Sequence, residues 1–324
     1  MILRLLVLSF VTNVSATYSP VIGVLTQEAT LISYAYRNTH SFIAASYVKF
    51  LQKSGATVLP IWIGQSRAYY ERIVRITNGI LLPGGGVFFL DKKGGYGEAA
   101  KIIYESAIKA NDNGNYYPIW GTCLGMQTLM FVGLGENIRK ICHAKNVALP
   151  LELTPDYDRT RLFSTPSSRL MRKFTTNNNT FHYHILCVFV KHFKNSKASS
   201  EWRIVSTNKD LNGAEFISTV EHKKYPFYGI QYHPEKNIFE HKEMLQIPHH
   251  PEALEFAEYF GNFFINEARK NNHTFYPGAI EENSLIHNYS PVDSISNSIW
   301  EELYLFTRDD YNYVDSCYTD LNRI

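Results

Sequence analysis

The sequence lacks an excess of charge of either sign, and it also lacks an apolar run as long as a membrane span. Its 32 Lys and Arg residues against 30 Asp and Glu residues leave a net charge of +2, without a sustained basic run. Proteins that bind nucleic acid normally carry a basic patch, so we expect no nucleic-acid partner. Because every apolar stretch is too short to cross a bilayer, we expect no membrane-spanning segment.

Cysteine is also scarce. The chain of 324 residues has 4 cysteines, at Cys123, Cys142, Cys187 and Cys317. A small domain held together by disulfides would need a denser set. If Cys123 is a free nucleophile, the other three cannot all pair with one another, so the sequence does not predict a disulfide scaffold.

The first 16 residues have the pattern of a secretory signal peptide. Arg4 supplies the positive charge, residues 5–11 are apolar, and small residues at 14–16 stand at the usual cleavage spacing. Asn-x-Ser/Thr triplets that accept N-glycans begin at Asn178, Asn272 and Asn288. We therefore expect a glycoprotein of the secretory pathway, in lysosomes, the extracellular space or both.

A cysteine framed by glycines follows a short apolar run at residues 117–122. The pattern Gly121-x-Cys123-x-Gly125 is typical of a nucleophile elbow, with cysteine in place of serine. A Cβ at either glycine would crowd the strand-to-helix turn. The thiol would then lie at a helix N-terminus, where the partial positive charge favours thiolate. The alternative is a buried cysteine that acts only as a small apolar side chain.

A second motif, His233-Pro234-Glu235, ends a predicted strand further along the chain. Along an extended backbone His233 and Glu235 project to the same side, and Pro234 favours that conformation at His233. His233 can then act as the general base to Cys123, with Glu235 orienting its ring. Each motif alone is weak evidence, but together they predict a cysteine-dependent catalytic triad.

Strands alternate with helices from residue 20 to residue 134. This order is typical of an α/β fold with a mostly parallel sheet and helices on both faces, a three-layer α/β/α domain. We expect that domain to span residues 17–283, with residues 284–324 as a tail packed on it. The predicted strands are 20–25, 57–63, 79–82, 117–122, 147–153, 202–206, 215–220 and 225–233, and the predicted helices are 41–55, 67–76, 96–111, 126–134 and 252–270.

The glycine turn at residues 83–86 follows the strand that precedes the elbow strand. A glycine cluster is often only a flexible turn. Ligand sites in such folds, however, lie at the carboxyl ends of the strands. A backbone N–H of Gly84 or Gly85 would there point at the thiol and, with the N–H of Leu124, form an oxyanion hole.

The two motifs resemble those of the class I glutamine amidotransferase-like superfamily, and further blocks are similar to the gamma-glutamyl hydrolase family. The blocks that carry this resemblance are 43–49, 78–85, 120–125, 215–219, 224–226, 231–237 and 266–273. The resemblance implies Cys123 as the nucleophile, His233 as its proton-transfer partner and Glu235 as the third member. It also implies a homodimer and a reaction that needs no metal and no organic cofactor.

The resemblance extends to the substrate side of the site. The family has a second histidine in a Phe-His segment, which matches His182, although a polar residue on a strand is the alternative. Gln127 stands where the family has a glutamate, and Phe42 stands in a position where it has a tyrosine. These differences concern how the α-amino or α-carboxyl group is held, and the three residues are the candidates for substrate binding.

The implied reaction is hydrolysis of γ-glutamyl bonds in folyl- and antifolyl-poly-γ-glutamates through a thioester on Cys123. A polyanionic substrate calls for a basic groove, although a solvated face is the commoner explanation of a basic segment. The candidate basic residues are Arg159, Arg161, Arg169, Arg172 and Lys173. Two alternatives remain open: a glutaminase-type amidase with the same triad, and a catalytically silent glycoprotein that keeps the fold. A chaperone-like relative would carry histidine where Leu124 stands.

Overall fold

The structure is a computed structural model that describes residues 18–29, 32, 41–86, 93–275, 283–294, 298–307 and 310. The predicted signal peptide, Cys317 and part of the predicted tail lie outside these residues. The strands are β1 (Val21–Leu25), β2 (Gln27–Glu28), β3 (Ser41–Ala44), β4 (Thr57–Ile61), β5 (Gly79–Leu82), β6 (Ile119–Thr122), β7 (Lys140–Leu149), β8 (Glu152–Leu153), β9 (Thr180–Cys187), β10 (Trp202–Lys209), β11 (Glu215–His222), β12 (Phe227–Ile230), β13 (Val292–Asp293) and β14 (Glu302–Phe306). The helices are α1 (Ala45–Lys53), α2 (Arg67–Ile76), α3 (Tyr96–Asp112), α4 (Leu124–Leu134), α5 (Ser168–Thr176), α6 (Val190–Lys194), α7 (Ala198–Glu201), α8 (Pro234–Phe239) and α9 (Pro251–Ala268).

The largest sheet has the strand order β4-β1-β5-β6-β12-β11-β10-β8. The first five strands pair in parallel, and the last three continue the sheet in antiparallel pairing. β1 reads Val-Ile-Gly-Val-Leu and is buried along its whole length, as expected of a parallel strand covered on both faces. Helices α1, α8 and α9 pack together, and α2, α3 and α4 form a second group. The predicted α/β fold with a mostly parallel sheet is confirmed.

Three adjacent strands of this sheet end where the predicted site residues begin. β6 lies between β5 and β12, in register through the pairs Leu82↔Gly121 and Ile230↔Thr122. Parallel strands that are in register bring their carboxyl ends to one edge of the sheet. The glycine turn after β5, the cysteine after β6 and the histidine after β12 therefore meet at that edge.

The predicted helix over residues 41–55 was wrong at its beginning. Ser41–Ala44 forms β3, which pairs with β2 and with β14 near the other end of the sequence. The helical spacing of apolar residues continues across this segment, but pairing with distant strands overrides it. The same pairing attaches part of the predicted tail to the domain beside the elbow.

A two-stranded ribbon, β7–β9, stands apart from the large sheet. A disulfide between Cys142 and Cys187 joins its strands. The sequence predicted a strand only at 147–153 in this region, because the ribbon alternates exposed and buried residues irregularly and its register shifts twice. Among the described residues, no helix combines the length and the apolar character needed to cross a bilayer.

Candidate active site

Cys123 sits at the turn between β6 and α4 in a backbone conformation that residues with a side chain rarely adopt. Its φ is 52° and its ψ is −105°, a combination that costs free energy and is typical of functional turns. A Cβ on Gly121 would lie 2.6 Å from the carbonyl carbon of Gly125, and one on Gly125 would lie 2.0 Å from the carbonyl oxygen of Leu82. The turn therefore requires both glycines, as predicted.

His233 and Glu235 meet as predicted, but through a different backbone. His233 is the N-cap of α8 and Pro234 is its first residue, so the segment turns into a helix instead of continuing as a strand. Proline favours this first helical position because it has no N–H to leave unpaired. The Nδ1 atom of His233 lies 2.7 Å from Oε1 of Glu235. The Cys123 side chain hydrogen-bonds the same ring, so the structure brings the three predicted catalytic residues together.

The surroundings of His233 favour a protonated ring. Burial lowers its pKa, but the Glu235 carboxylate and the Cys123 side chain outweigh burial and raise the pKa to about 9. The ring is thus a proton donor at neutral pH. Its Nδ1–H donates to Glu235, which leaves Nε2 to exchange a proton with the sulfur or the substrate.

The glycine turn after β5 is packed against this group without space for a side chain. A Cβ on Gly84 would lie 2.7 Å from Cε1 of His233 and 3.0 Å from the Cβ of Cys123. The N–H of Gly84 donates to the Tyr47 hydroxyl at 2.8 Å. The prediction of this N–H as an oxyanion donor is therefore corrected, because in this structure it already donates its hydrogen bond to Tyr47. The N–H of Leu124, the first residue of α4, has no acceptor within its own helix.

Tyr47 connects the turn with the predicted catalytic residues, a role that no spacing in the sequence indicates. Its hydroxyl lies 3.3 Å from Nδ1 of His233 and also hydrogen-bonds Glu235. Burial, followed by the charge of Glu235, raises the pKa of Tyr47 well above its usual value. A neutral hydroxyl that accepts from Gly84 and donates to Glu235 fixes the turn and the carboxylate relative to each other.

A cavity of about 520 Å³ opens above Cys123 and His233. Three basic side chains, Arg139, Lys145 and Lys236, contribute to its lining, and the described lining residues include no Asp or Glu. Burial lowers the pKa of Lys236, and the charge of Glu240 opposes this effect. The cations predicted in the central segment lie elsewhere: Arg159, Arg161, Arg169, Arg172 and Lys173 are absent from the lining. The expectation of a basic groove thus finds support in other residues, which come from β7, its preceding loop and α8.

Gln127 lies in the cavity wall, where it accepts from Arg139 at 3.1 Å. Its amide nitrogen donates to the carbonyl of Leu186 and to the side chain of Gln231. Burial lowers the pKa of Arg139 to about 10, although the Cys123 side chain opposes this effect, so the guanidinium stays charged at neutral pH. A neutral glutamine orients this cation without neutralising it.

Phe42 also lines the cavity. Trp300 from the predicted tail packs edge-on against Phe42, with 5.4 Å between the ring centroids. His182 does not reach the cavity; it is 0 % exposed and lies behind His184, which does. The prediction of His182 as a substrate contact is therefore corrected in favour of His184, two residues further on the same face of β9. Burial lowers the pKa of His184 to about 3 and that of His182 well below its usual value.

Comparisons with known proteins agree with this geometry. The model of the family Peptidase C26 matches residues 20–235. The chain is 38% identical to the gamma-glutamyl hydrolase of Rattus norvegicus over 292 residues, which is 89% of each protein. It is 38% identical to the gamma-glutamyl hydrolase of Homo sapiens over 291 residues, again 89% of each. Gamma-glutamyl hydrolase B of Dictyostelium discoideum is 31% identical over 91% of this chain and 86% of the relative. The chain belongs to the gamma-glutamyl hydrolase family, Peptidase C26.

Proposed function

We propose that the protein hydrolyses γ-glutamyl amide bonds of poly-γ-glutamates, with Cys123 as the nucleophile. One observation carries the proposal: the elbow cysteine and the His233–Glu235 pair meet in the wall of a cavity that is lined by cations. The triad supplies the chemistry of acyl transfer. The cations supply the recognition of carboxylates, which recur along a γ-linked glutamate chain.

In the first half of the reaction, the Cys123 sulfur attacks the γ-carbonyl carbon of the scissile amide. The resulting oxyanion accepts hydrogen bonds from the N–H of Leu124 and the N–H of Gly85. Gly85 takes the place of Gly84 as the donor on the glycine turn. Gln27 supports that turn, because its amide donates to the carbonyl of Gly84 at 2.8 Å. His233 then gives its proton to the leaving amine, and a γ-glutamyl thioester remains.

In the second half, a water molecule takes the position that the amine has left. His233, now neutral, accepts a proton from this water as it attacks the thioester carbon. The carbon–sulfur bond breaks, the sulfur leaves, and the γ-carboxylic acid is released. Glu235 holds the ring orientation and stabilises its positive charge in both halves.

The charges of the cavity indicate which substrates it favours. A γ-linked glutamate inside a chain carries a free α-carboxylate, and its nitrogen is acylated, so it has no ammonium group. A free γ-glutamyl dipeptide has an ammonium group as well. The basic residues Arg139, Lys145 and Lys236 attract the α-carboxylate of the N-acylated glutamate. The described lining contains no carboxylate, so it offers no partner to the ammonium group of a free γ-glutamyl dipeptide. We therefore propose a preference for N-acylated poly-γ-glutamates, such as folyl and antifolyl conjugates.

The test is a chromatographic assay of folyl-poly-γ-glutamate hydrolysis with wild type and Cys123→Ala, from acidic to neutral pH. We expect wild type alone to release glutamates, and the lengths of the products will distinguish endo from exo cleavage. An N-terminally free γ-glutamyl dipeptide and free glutamine serve as competing substrates. Faster turnover of glutamine would favour the glutaminase alternative, and inert but folded wild type would favour the silent glycoprotein.

We further propose that the protein enters the secretory pathway through residues 1–16 and functions as a glycosylated homodimer in lysosomes or outside the cell. All three candidate acceptor residues, Asn178, Asn272 and Asn288, are exposed, which supports their modification. Residues 17–283 with the tail would form the mature unit. Glycosidase treatment, mass spectrometry of the N-terminus and light scattering test glycosylation, cleavage and the dimer separately.

A further inference from the structure

A second group of reactive side chains lies beside the cavity, with His184 in its wall, and none of them forms a bond or transfers a proton in the proposed reaction. Cys142 on β7 and Cys187 on β9 form a disulfide beside His184. The two sulfurs and the ring nitrogen Nδ1 lie within 4.8 Å of one another, and all three residues are buried. Their apolar surroundings include Phe189 and Phe216. Two thiols and an imidazole are the ligands that soft divalent metals prefer.

A chain of hydrogen bonds fixes the tautomer of His184. The Thr180 hydroxyl donates to the carbonyl of Leu149 at 2.8 Å, so its oxygen is left to accept from Nε2–H of His182, at 3.0 Å. Nδ1 of His182 must then be an acceptor, and it receives Nε2–H of His184 at 3.0 Å. In this tautomer Nδ1 of His184 directs its lone pair at the sulfurs, and the ring also hydrogen-bonds the backbone of Leu186. Metal-binding histidines are held in this way by an outer partner.

The distances from this nitrogen to the sulfurs match those in a tetrahedral zinc site. Nδ1 of His184 lies 3.3 Å from Sγ of Cys187 and 3.6 Å from Sγ of Cys142. Zinc–sulfur bonds of about 2.3 Å and zinc–nitrogen bonds of about 2.0 Å at tetrahedral angles separate nitrogen from sulfur by roughly 3.5 Å. The nitrogen thus lies at a suitable distance from both sulfurs. The sulfurs themselves are bonded to each other, so after reduction they must separate to roughly 3.8 Å, the spacing of two sulfur ligands in a tetrahedral zinc site.

The net charge of such a site also fits its burial. Two thiolates and a neutral imidazole around Zn²⁺ sum to zero, so an apolar pocket can enclose the group without an unpaired charge. A site of carboxylate oxygens would instead suit Ca²⁺ or Mg²⁺. None of the three residues is a carboxylate, so the ligands favour a thiophilic metal over Ca²⁺ or Mg²⁺.

We propose that Cys142, Cys187 and His184 bind one Zn²⁺ ion when their disulfide is reduced, with His182 as the outer partner of His184. A dithiol reductant supplies two electrons and two protons to the sulfur–sulfur bond and closes to its own disulfide. The two Cys thiols then lose their protons to solvent as their sulfurs bond to the metal, and water completes the fourth position. The ion replaces the disulfide as the link between β7 and β9.

The test uses the full chain in a Cys123→Ala background, so that the catalytic thiol does not compete for metal and activity is not the readout. The protein is reduced with a dithiol, desalted without oxygen and titrated with Co²⁺. We expect one equivalent to produce thiolate-to-cobalt charge transfer and the intense visible bands of a tetrahedral site, which Zn²⁺ then abolishes. The same protein without reduction should show neither band.

Variants separate this site from other thiols. Cys142→Ser should remove the tetrahedral spectrum, while Cys317→Ser, which also removes one thiol, should keep it. His182→Gln should weaken Co²⁺ binding by about 10–100-fold, the usual effect of losing an outer partner. The proposal is overturned if the reduced protein gives no such spectrum, if the spectrum survives in Cys142→Ser, or if near-ultraviolet circular dichroism shows that reduction itself unfolds the chain.

Discussion

The cavity wall contains two buried histidines, His233 and His184, whose surroundings give them opposite protonation states. Beside Glu235 and Cys123, the pKa of His233 rises to about 9, whereas burial, followed by the charge of His233, lowers the pKa of His184 to about 3. The desolvation that both rings undergo favours the neutral form in each case. A carboxylate at 2.7 Å decides the difference. His233 can therefore transfer protons at neutral pH, whereas His184 stays neutral.

The largest effect should come from replacing each histidine in turn by asparagine. We expect His233→Asn to lower kcat by about 10⁴-fold, because both halves of the reaction pass a proton through this ring. His184→Asn should change kcat by less than about 10-fold and act mainly on KM, since His184 touches the cavity but no proposed reacting atom. Steady-state kinetics on a poly-γ-glutamate will measure both. Equal losses of kcat would contradict the assigned division of roles.

The disulfide beside His184 should contribute strongly to the stability of the protein. The disulfide closes a loop between positions 45 residues apart, and the chain-entropy relation gives a loss of about 4 kcal/mol when such a link is removed. We therefore expect Cys142→Ser to lower the free energy of unfolding by about this amount. Denaturant titration provides the measurement, with Cys317→Ser as the control. A change below about 1 kcal/mol would show that the link contributes little.

The pKa of His233 should depend on its carboxylate. Its pKa lies above the unfolded value, so the charged ring contributes stability below pH about 6.5, and this is lost as the pH rises towards about 9. The groups that face it are Glu235, Cys123 and the Tyr47 hydroxyl. In Glu235→Gln we expect the pKa of the ring to fall by about 1–3 units. Ring-proton NMR will measure the pKa of His233 in Cys123→Ser and in Cys123→Ser with Glu235→Gln. The same pKa in the two variants would refute the role of the carboxylate.

Tyr47 should affect rate more than binding. Tyr47→Phe removes one acceptor and one donor from the link between Gly84 and Glu235. At about 0.5–1.5 kcal/mol each, the two hydrogen bonds correspond to a loss of kcat of about 5- to 150-fold. Tyr117→Phe is the matched control, because it removes a buried hydroxyl that bonds Thr77 at 2.5 Å, outside the catalytic group. A loss of similar size in both variants would indicate a general packing effect.

The smallest effect should distinguish the cations of the cavity from those elsewhere. We expect Arg139→Gln to raise KM for a folyl-poly-γ-glutamate by about 3–10-fold, the effect of losing one charge-assisted contact in a partly solvated cavity. Arg169→Gln removes an exposed cation that does not line the cavity and should leave KM unchanged. If Arg169→Gln raised KM and Arg139→Gln did not, the basic groove would lie in the central segment after all.

Local steric rules explain what the sequence by itself determined about this protein. The clash that requires Gly121 arises within five residues, whereas Gly125 is required by the carbonyl oxygen of Leu82 on the neighbouring strand β5. The spacing of the two glycines around Cys123 was still enough to predict the elbow. The bounds of α2 and β5 were predicted to the residue, because apolar spacing and the N-cap at Ser66 act locally. The pairing of His233 with Glu235 was predicted as well, although through a strand instead of the helix that Pro234 begins.

Only the tertiary structure decided which residues share the cavity. Arg139, Lys145 and His184 reach it because the N–H of His233 donates to the carbonyl of Phe181, which holds β9 of the β7–β9 ribbon beside the site. Trp300 reaches it because β14 pairs with β3. The bonds of Tyr47 with Gly84 and Glu235 join positions far apart in the sequence. Such contacts depend on burial and long-range pairing, which no local spacing encodes. The sequence therefore determined the catalytic chemistry, and the tertiary structure decided the charges, the aromatic wall and the sulfur site around it.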